Sequence, residues 1–306
     1  MRALLVANPS ATTTTAAGRD VIAHALASEL KLEVVATRYR GHTAELAARA
    51  RAEAVDLVVV LGGDGTVNEA LNGLLAEGPA ADVPALGVVP GGSANVFARA
   101  LGSPREPLEA TRQLLAALAA GRSRLVGLGR ADERWFSFNA GLGWDADVIA
   151  SMERERDQGR NATPSRYVRT SIRRWASARA HPPSLTVEVR GHEPVEGVKL
   201  ALVSNTDPWT YLGPRAVRTN PHCAFERGLG LLALRSLGLP TVLRVVAQAL
   251  RIDGDPGLRS ILRDDDVPSL RITSAEAVNL QVDGDYLGRR SDVEFSAVPD
   301  ALRVVV

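Results

Sequence analysis

Val58–Leu75, VVVLGGDGTVNEALNGLL, is an apolar run that stops at Gly62-Gly63-Asp64-Gly65-Thr66 and passes at once into a helical pattern. Val67, Ala70, Leu71, Leu74 and Leu75 follow i, i+3, i+4, i+7, i+8 spacing, one face of an amphipathic helix. A strand, a glycine-rich turn and a helix N-terminus in succession make an anion site. Glycines let backbone N–H groups approach closely, and the helix end adds partial positive charge. Phosphate fits such a site, so the stretch points to a nucleotide-using protein.

Known loop designs narrow this. A Walker A loop needs a lysine after its second glycine, yet the chain holds only Lys31 and Lys199. A dinucleotide fingerprint needs a third glycine where Asn68 stands, and an acidic residue about twenty positions further on. GGSAN at Gly91–Asn95 lacks the closing glycine of a hydrolase nucleophile elbow. What remains is a loop that carries its own carboxylate, Asp64. Phosphate repels a carboxylate unless a cation lies between them, so the loop suggests Mg²⁺. Taken alone, the same residues also describe a tight strand–helix turn capped by Asp64 or Thr66.

Strands alternate with helices through the first 121 residues. The reading gives strands over 3–9, 31–39, 56–63 and 85–92, and helices over 16–30, 43–54 and 107–121, with another after the glycine loop. That alternation predicts a parallel sheet covered on both faces. From about Leu125 the pattern changes to strands joined by turns, among them SLTVEVRG, GVKLALVSN, GLLALRSLG and SLRITS, which predicts a second, mainly antiparallel β domain.

The chain has 306 residues, enough for one large or two medium domains. With 45% apolar and 23% charged residues its composition is that of a folded soluble chain. The net charge of +1 favours no class of charged partner. Cys223 is the single cysteine, so no internal disulfide is available, and with His222 it makes no zinc site. Neither a leader pattern nor an apolar run of membrane-spanning length is read, and a cytoplasmic protein is expected. Ser151–His181 stands apart, with eight arginines against three acidic residues. Val168, Ile172 and Trp175 share one face of a helix and Arg166, Arg169 and Arg173 another. Such a helix suits an anionic membrane surface, or is simply docked on its domain by the apolar face.

GGDGTVNE resembles the signature of diacylglycerol kinases, sphingosine-type lipid kinases and, more distantly, NAD kinases and phosphofructokinases. NPSATT (8–13), VPGGSANVFARALG (89–102), FNAGLGWDADV (138–148) and QVDGDYLG (281–288) are similar to further segments of bacterial soluble lipid kinases, in the family's order. The resemblance implies a two-domain lipid kinase: an α/β nucleotide-binding domain over 1–124, to which 296–306 returns, and a β-rich substrate-binding domain over 125–295.

It also implies roles. Asn8, Pro9 and Thr37 border ATP, while Gly62, Gly63, Asp64, Gly65, Thr66, Asn68 and Glu69, with Gly92, Ser93 and Asn95, cradle it. Asp64 and Asp145 are the expected Mg²⁺ ligands. Asp285 is the expected base, Asp283 the close alternative, although DGD alone also reads as a hairpin turn. Two departures bear on the metal: Val96 stands where the family has aspartate, and Arg227 follows Glu226 where it often has two acids for a structural Mg²⁺.

The implied activity is phosphoryl transfer from ATP to a lipid hydroxyl, diacylglycerol giving phosphatidic acid. Another lipid acceptor, or a non-catalytic nucleotide-binding regulator, stays open. The expected partner is a lipid at the inner face of the membrane, met peripherally. No nucleic acid is expected, and a homodimer is compatible.

Overall fold

A strand covered on both faces needs apolar residues at every position, and the N-terminal runs supply them. The computed structural model describes residues 1–11, 15–157, 164–181, 184–255 and 257–306. Thr12 and Thr13 of the opening loop, and 158–163 of the basic stretch, lie outside the described residues. Met1–Leu128, Tyr211–Pro214 and Val298–Val306 form one unit, and Gly129–Thr210 with Arg215–Ala297 a second.

Unit 1 runs β1 (Arg2–Ala7), α1 (Ala16–Ala27), β2 (Lys31–Ala36), α2 (His42–Ala52), β3 (Leu57–Gly62), α3 (Asp64–Leu74), β4 (Ala85–Pro90), α4 (Val96–Ala100) and α5 (Pro107–Ala119). Its sheet order is β2-β1-β3-β4, parallel throughout. Val304, near the C-terminus, pairs in parallel with Leu86. One sheet face packs Leu5, Leu57, Val59 and Leu61 against Ile22 and Leu26 of α1 and Leu114 of α5. The apolar face read for α3 is buried at all five positions, each aliphatic side chain contributing roughly 1.5–3 kcal/mol.

Unit 2 follows with β5 (Ser123–Ala131, whose first residues belong to unit 1), β6 (Arg134–Phe136), β7 (Asn139–Gly143), α6 (Trp144–Asp157), α7 (Pro164–Ala180), β8 (Leu185–Val189), β9 (Val195–Val198), β10 (Leu200–Ser204), β11 (Thr210–Leu212, which passes into unit 1 at Tyr211), β12 (Arg215–Val217), β13 (Leu229–Leu234), α8 (Leu239–Ala249), β14 (Ile261–Val267), β15 (Ser269–Val282) and β16 (Asp285–Val305, whose end from Val298 belongs to unit 1). The main path is β14-β13-β10-β7-β15-β16, antiparallel at each pairing. The expected fold class is therefore present, a parallel α/β unit and a mainly antiparallel one.

Strand alternation splits the apolar residues of unit 2 between two faces. Ala201, Val203, Leu231 and Ala233 join a large core on one side. Leu200, Leu202, Leu232 and Leu234 face the other, where Trp175 and Ala178 of α7 and Val242 and Val245 of α8 cover them.

Two features depart from the sequence reading. The face read for α7 does not dock as one. Trp175 packs inward and donates its indole N–H to Leu237 O at 2.9 Å, whereas Val168 and Ile172 stay exposed. Helix α8 has no counterpart in that reading, although its aliphatic residues share one broad face opposite Thr241, Arg244 and Gln248. Among the described residues no helix is long and apolar enough to cross a membrane.

Candidate functional site

Because the strands of unit 1 are parallel, the loops after β1, β2, β3 and β4 leave from one edge of the sheet. That edge is where open α/β sheets bind ligands, at the point where strand order reverses. Here the reversal lies between β1 and β3, and Asn8 bridges it. Its N–H donates to Leu61 O at 3.0 Å, and its side-chain amide donates to Thr66 Oγ1 at 3.1 Å. Thr37 leaves β2 at the same edge, its N–H donating to Ala7 O. Pro9 and Ser93 are exposed there.

The glycines are required by contact rather than by backbone angle. A Cβ on Gly92 would stand 2.7 Å from Gly63 Cα, and one on Gly62 2.7 Å from Thr66 Oγ1. The two loops are also tied by Gly91 N–H donating to Gly62 O at 2.7 Å. Asn95, in the left-handed region at φ 49°, closes the second loop through Gly92 N–H to Asn95 Oδ1 and Asn95 Nδ2 to Gly92 O. Gly65, by contrast, is exposed and has open space where a Cβ would go.

The cap of α3 is Gly63, without a side-chain hydrogen bond. Neither Asp64 nor Thr66 therefore serves as the cap. Asp64 is half-buried and accepts from Phe97 N–H at 3.3 Å. Val96 is buried, so that position offers no ligand atom to the loop. Asn68 and Glu69 are engaged within the fold. Asn68 is fully buried and accepts from Asn72 Nδ2. Glu69 accepts from Gly41 and Thr43 N–H ahead of α2, a helix whose own cap supplies no side chain. Arg99, not singled out from the sequence, lies with its guanidinium 3.1 Å from the centre of the Tyr211 ring. Burial pulls its pKa below the ordinary arginine value, against the raising effect of Tyr211 and Asp64.

Unit 2 holds the other predicted carboxylates. Asp283 and Gly284 form the two-residue hairpin between β15 and β16, with φ 48° and 81°, both positive as a type I′ turn requires. The Asp283 carboxylate is buried and accepts from Ser137 N–H and Oγ–H, Phe138 N–H and Asn139 N–H at 2.7–3.1 Å. It thereby fixes the chain between β6 and β7. Asp285 follows on β16, half-buried, with Arg134 Nη2 at 3.9 Å.

Asp145 sits in the first turn of α6 with Oδ2 accepting from Gln281 Nε2 at 2.8 Å. Gln281 Nε2 also donates to Asn139 Oδ1 at 3.0 Å. Gly141 makes room, since a Cβ there would stand 2.7 Å from Asp145 Oδ2. Burial pushes the Asp145 pKa up to about 6, partly opposed by the Gln281 hydrogen bond and helped by the charge of Asp147. Burial raises the Tyr167 phenol as well, and the Asp145 charge adds to that. Asp147 is raised by burial too, although Asn279 donates to it at 2.6 Å.

The donor chemistry decides what metal these residues suit. Mg²⁺ in phosphoryl-transfer sites is held by one or two carboxylates with substrate phosphates and water, and Asp64 beside the glycine loop fits that pattern. Asp145 is enclosed and already hydrogen-bonded, which does not. Nor does the segment after β12 suit a structural metal. Asp265 is taken by Arg263 at 3.0 Å, Asn220 at 2.7 Å and His222 N–H. Among the described residues no group of three His, Cys, Asp or Glu is placed to hold an ion. Cys223 is buried, which pushes its pKa up to about 12 and leaves it a thiol.

A parallel sheet with a glycine loop, a helix N-terminus and a carboxylate at its carboxyl edge is an arrangement in which α/β proteins hold phosphate. Residues 2–130 match the diacylglycerol kinase catalytic domain. The diacylglycerol kinase of Bacillus subtilis (strain 168) is 28% identical over 301 residues, spanning 94% of this chain and 90% of that protein. The diacylglycerol kinase of Staphylococcus aureus (strain Newman) is 35% identical over 143 residues, 44% of this chain and 41% of its own length. The crystal structure of a diacylglycerol kinase from Bacillus anthracis str. Sterne superposes with a TM-score of 0.76. That match covers 99% of this chain and 96% of the other at 22% identity, and shows a shared fold. The chain is thus similar to diacylglycerol kinases along most of its length, and it is a phosphotransferase with an alcohol acceptor.

Proposed function

We propose that the chain transfers the γ-phosphate of ATP to a lipid hydroxyl, with diacylglycerol as acceptor and phosphatidic acid as product. The observation that carries this reading is the pair of contacting glycine loops, Gly62–Thr66 and Gly91–Asn95, beside Asp64. In it, the amides of Gly63 and Gly65 and the hydroxyls of Thr66 and Ser93 receive the phosphates, while Asn8 and Thr37 border the nucleotide. Mg²⁺ on Asp64 would neutralise phosphate charge. Asp285 takes the acceptor's hydroxyl proton as that oxygen bonds to the γ-phosphorus and the bond to the β–γ bridging oxygen breaks, releasing ADP. Asp283, its four donors already satisfied, positions the turn that presents Asp285. The lipid is met peripherally, at the inner face of a membrane.

Turnover of ATP with diacylglycerol in mixed micelles tests the reading, with a sphingoid base as a parallel acceptor. Phosphatidic acid formation supports it. Phosphorylation of the sphingoid base alone would move the acceptor class, and retained ATP binding with no product would favour a regulator. Asp285→Asn should lower turnover about 100-fold or more, as loss of a general base does, with ATP affinity nearly unchanged. Equal turnover would take the base role away from Asp285.

A further inference from the structure

Helix α8 covers the sheet of unit 2 with Val242 and Val245. The adjoining flank presents Leu239, Leu243, Val246 and, just past its end, Leu250, at i, i+4, i+7, i+11 spacing and 44–59% exposed. Ile252 follows at 76%. Single exposed aliphatics are common, but a continuous stripe of them on one helix marks an interaction surface. Helix α7 covers the same sheet face through Trp175 and Ala178, and it leaves Val168 and Ile172 exposed at 53% and 60%. Two neighbouring helices of one layer thus both turn apolar residues to solvent.

The two helices themselves are basic, with Glu155 of α6 and Asp253, next after Ile252, as acidic neighbours. Over its span α7 has five arginines and no acidic residue, and α8 has Arg244 and no acidic residue, with Arg251 next after Leu250. Arg166, Arg169, Thr170 and Arg173 line a cavity of about 210 Å³ with Glu155 of α6, whose carboxylate lies 3.7 Å from Arg173. Guanidinium groups in such a cavity suit phosphate oxygens.

We infer that the outer faces of α7 and α8 dock on an anionic lipid bilayer, the aliphatic side chains entering the headgroup boundary while the arginines engage lipid phosphates. Apolar residues flanked by arginine are the composition such a surface selects. A second copy of the chain fits less well, because a two-fold contact would set arginines against arginines. The inference rests on the lipid-acceptor reading above and adds where the lipid is met.

The test is co-sedimentation of the full chain with vesicles of phosphatidylcholine alone, and with vesicles of equal parts phosphatidylglycerol and phosphatidylcholine. Binding to the anionic vesicles, weakened by salt, is expected, and its absence would overturn the surface. The paired change Leu243→Ser and Val246→Ser should reduce binding about tenfold, as should Arg169→Glu with Arg173→Glu. Thermal unfolding of each variant, close to that of the parent because these side chains are exposed and the Arg173–Glu155 pair is a surface one, shows that the fold persists. Turnover of a water-soluble short-chain acceptor should be the same in the variants as in the parent, while turnover of vesicle-borne lipid falls. If no acceptor is phosphorylated but anionic vesicles bind through these residues, the surface stands and the kinase reading fails. Vesicle binding that survives both variants, or a concentration-dependent dimer that the serine variant disperses without affecting vesicle binding, would assign the stripe to another partner.

Discussion

The phosphate loops of unit 1 and the carboxylate network of unit 2 solve the problem of positioning with different materials. In unit 1 the donors are backbone amides, and side chains must be missing: a Cβ on Gly92 would stand 2.7 Å from Gly63 Cα, and one on Gly63 3.2 Å from Gly92 Cα. In unit 2 the positioning is done by side chains reaching across the chain. Asp283 holds residues 137–139, and Gln281 links Asn139 to Asp145. A site made of amides stays close to the sequence that encodes it. One made of side-chain pairs from distant strands does not.

The largest effect should come from breaking the unit 2 arrangement at Asp283. Asn is the informative replacement, because it tolerates the left-handed turn conformation as Asp does. Its amide N–H₂ would face donors now satisfied by a carboxylate oxygen, leaving buried backbone N–H groups unpaired. A loss of about 3 kcal/mol is expected for Asp283→Asn, read as a lower denaturant midpoint with unchanged slope. A variant of parental stability that has lost turnover would instead make Asp283 the base and Asp285 its neighbour.

Asp145 gives a smaller effect with a pH signature. Its folded pKa lies near 6, above the ordinary aspartate value of 3.8, so the folded state binds the proton more tightly than the unfolded one. The stability that protonation provides is complete below about pH 3.8 and lost as pH rises through about 6. Asp145→Asn stays neutral throughout and can still accept from Gln281. Thermal melts should therefore coincide at low pH and separate above pH 6, the variant being the more stable by at most about 3 kcal/mol. Parallel curves across the range would show that Asp145 is hydrated and ordinary.

How much of the molecule is legible in its sequence follows from the same contrast. The strand–loop–helix at Leu57–Leu74 is contiguous, its apolar spacing is helical, and its glycines announce close backbone contact. Fold class and loop therefore come directly from the residues. The DGD hairpin is legible as a turn, but not the reason for its first aspartate: Ser137 lies 146 positions away, and no local pattern links the two. Asn139, Gln281 and Arg99 escape the sequence on the same ground, since their partners are set by sheet register and packing. Helix α8 escapes it differently. Its aliphatic residues share one broad face that its sequence does show, but Val242 and Val245 bury only one flank of it. Which part of that face is covered and which is left to solvent depends on packing, and the spacing alone does not say.

The smallest effect separates the fold's needs from the ligand's within unit 1. Gly65 differs from Gly92 in that a Cβ added to it would meet nothing within 4 Å, and its backbone conformation is ordinary. It lies in the first turn of α3, where alanine is the better helix former, so Gly65→Ala should raise stability by about 0.5–1 kcal/mol. If phosphate lies on the loop amides, the new methyl occupies the space it needs, and nucleotide affinity should fall while the melting temperature rises. Isothermal titration beside thermal melts reads both quantities on one sample. Opposite movements would show that this glycine is kept for the ligand; a rise in stability with unchanged affinity would place the phosphates elsewhere on the sheet edge.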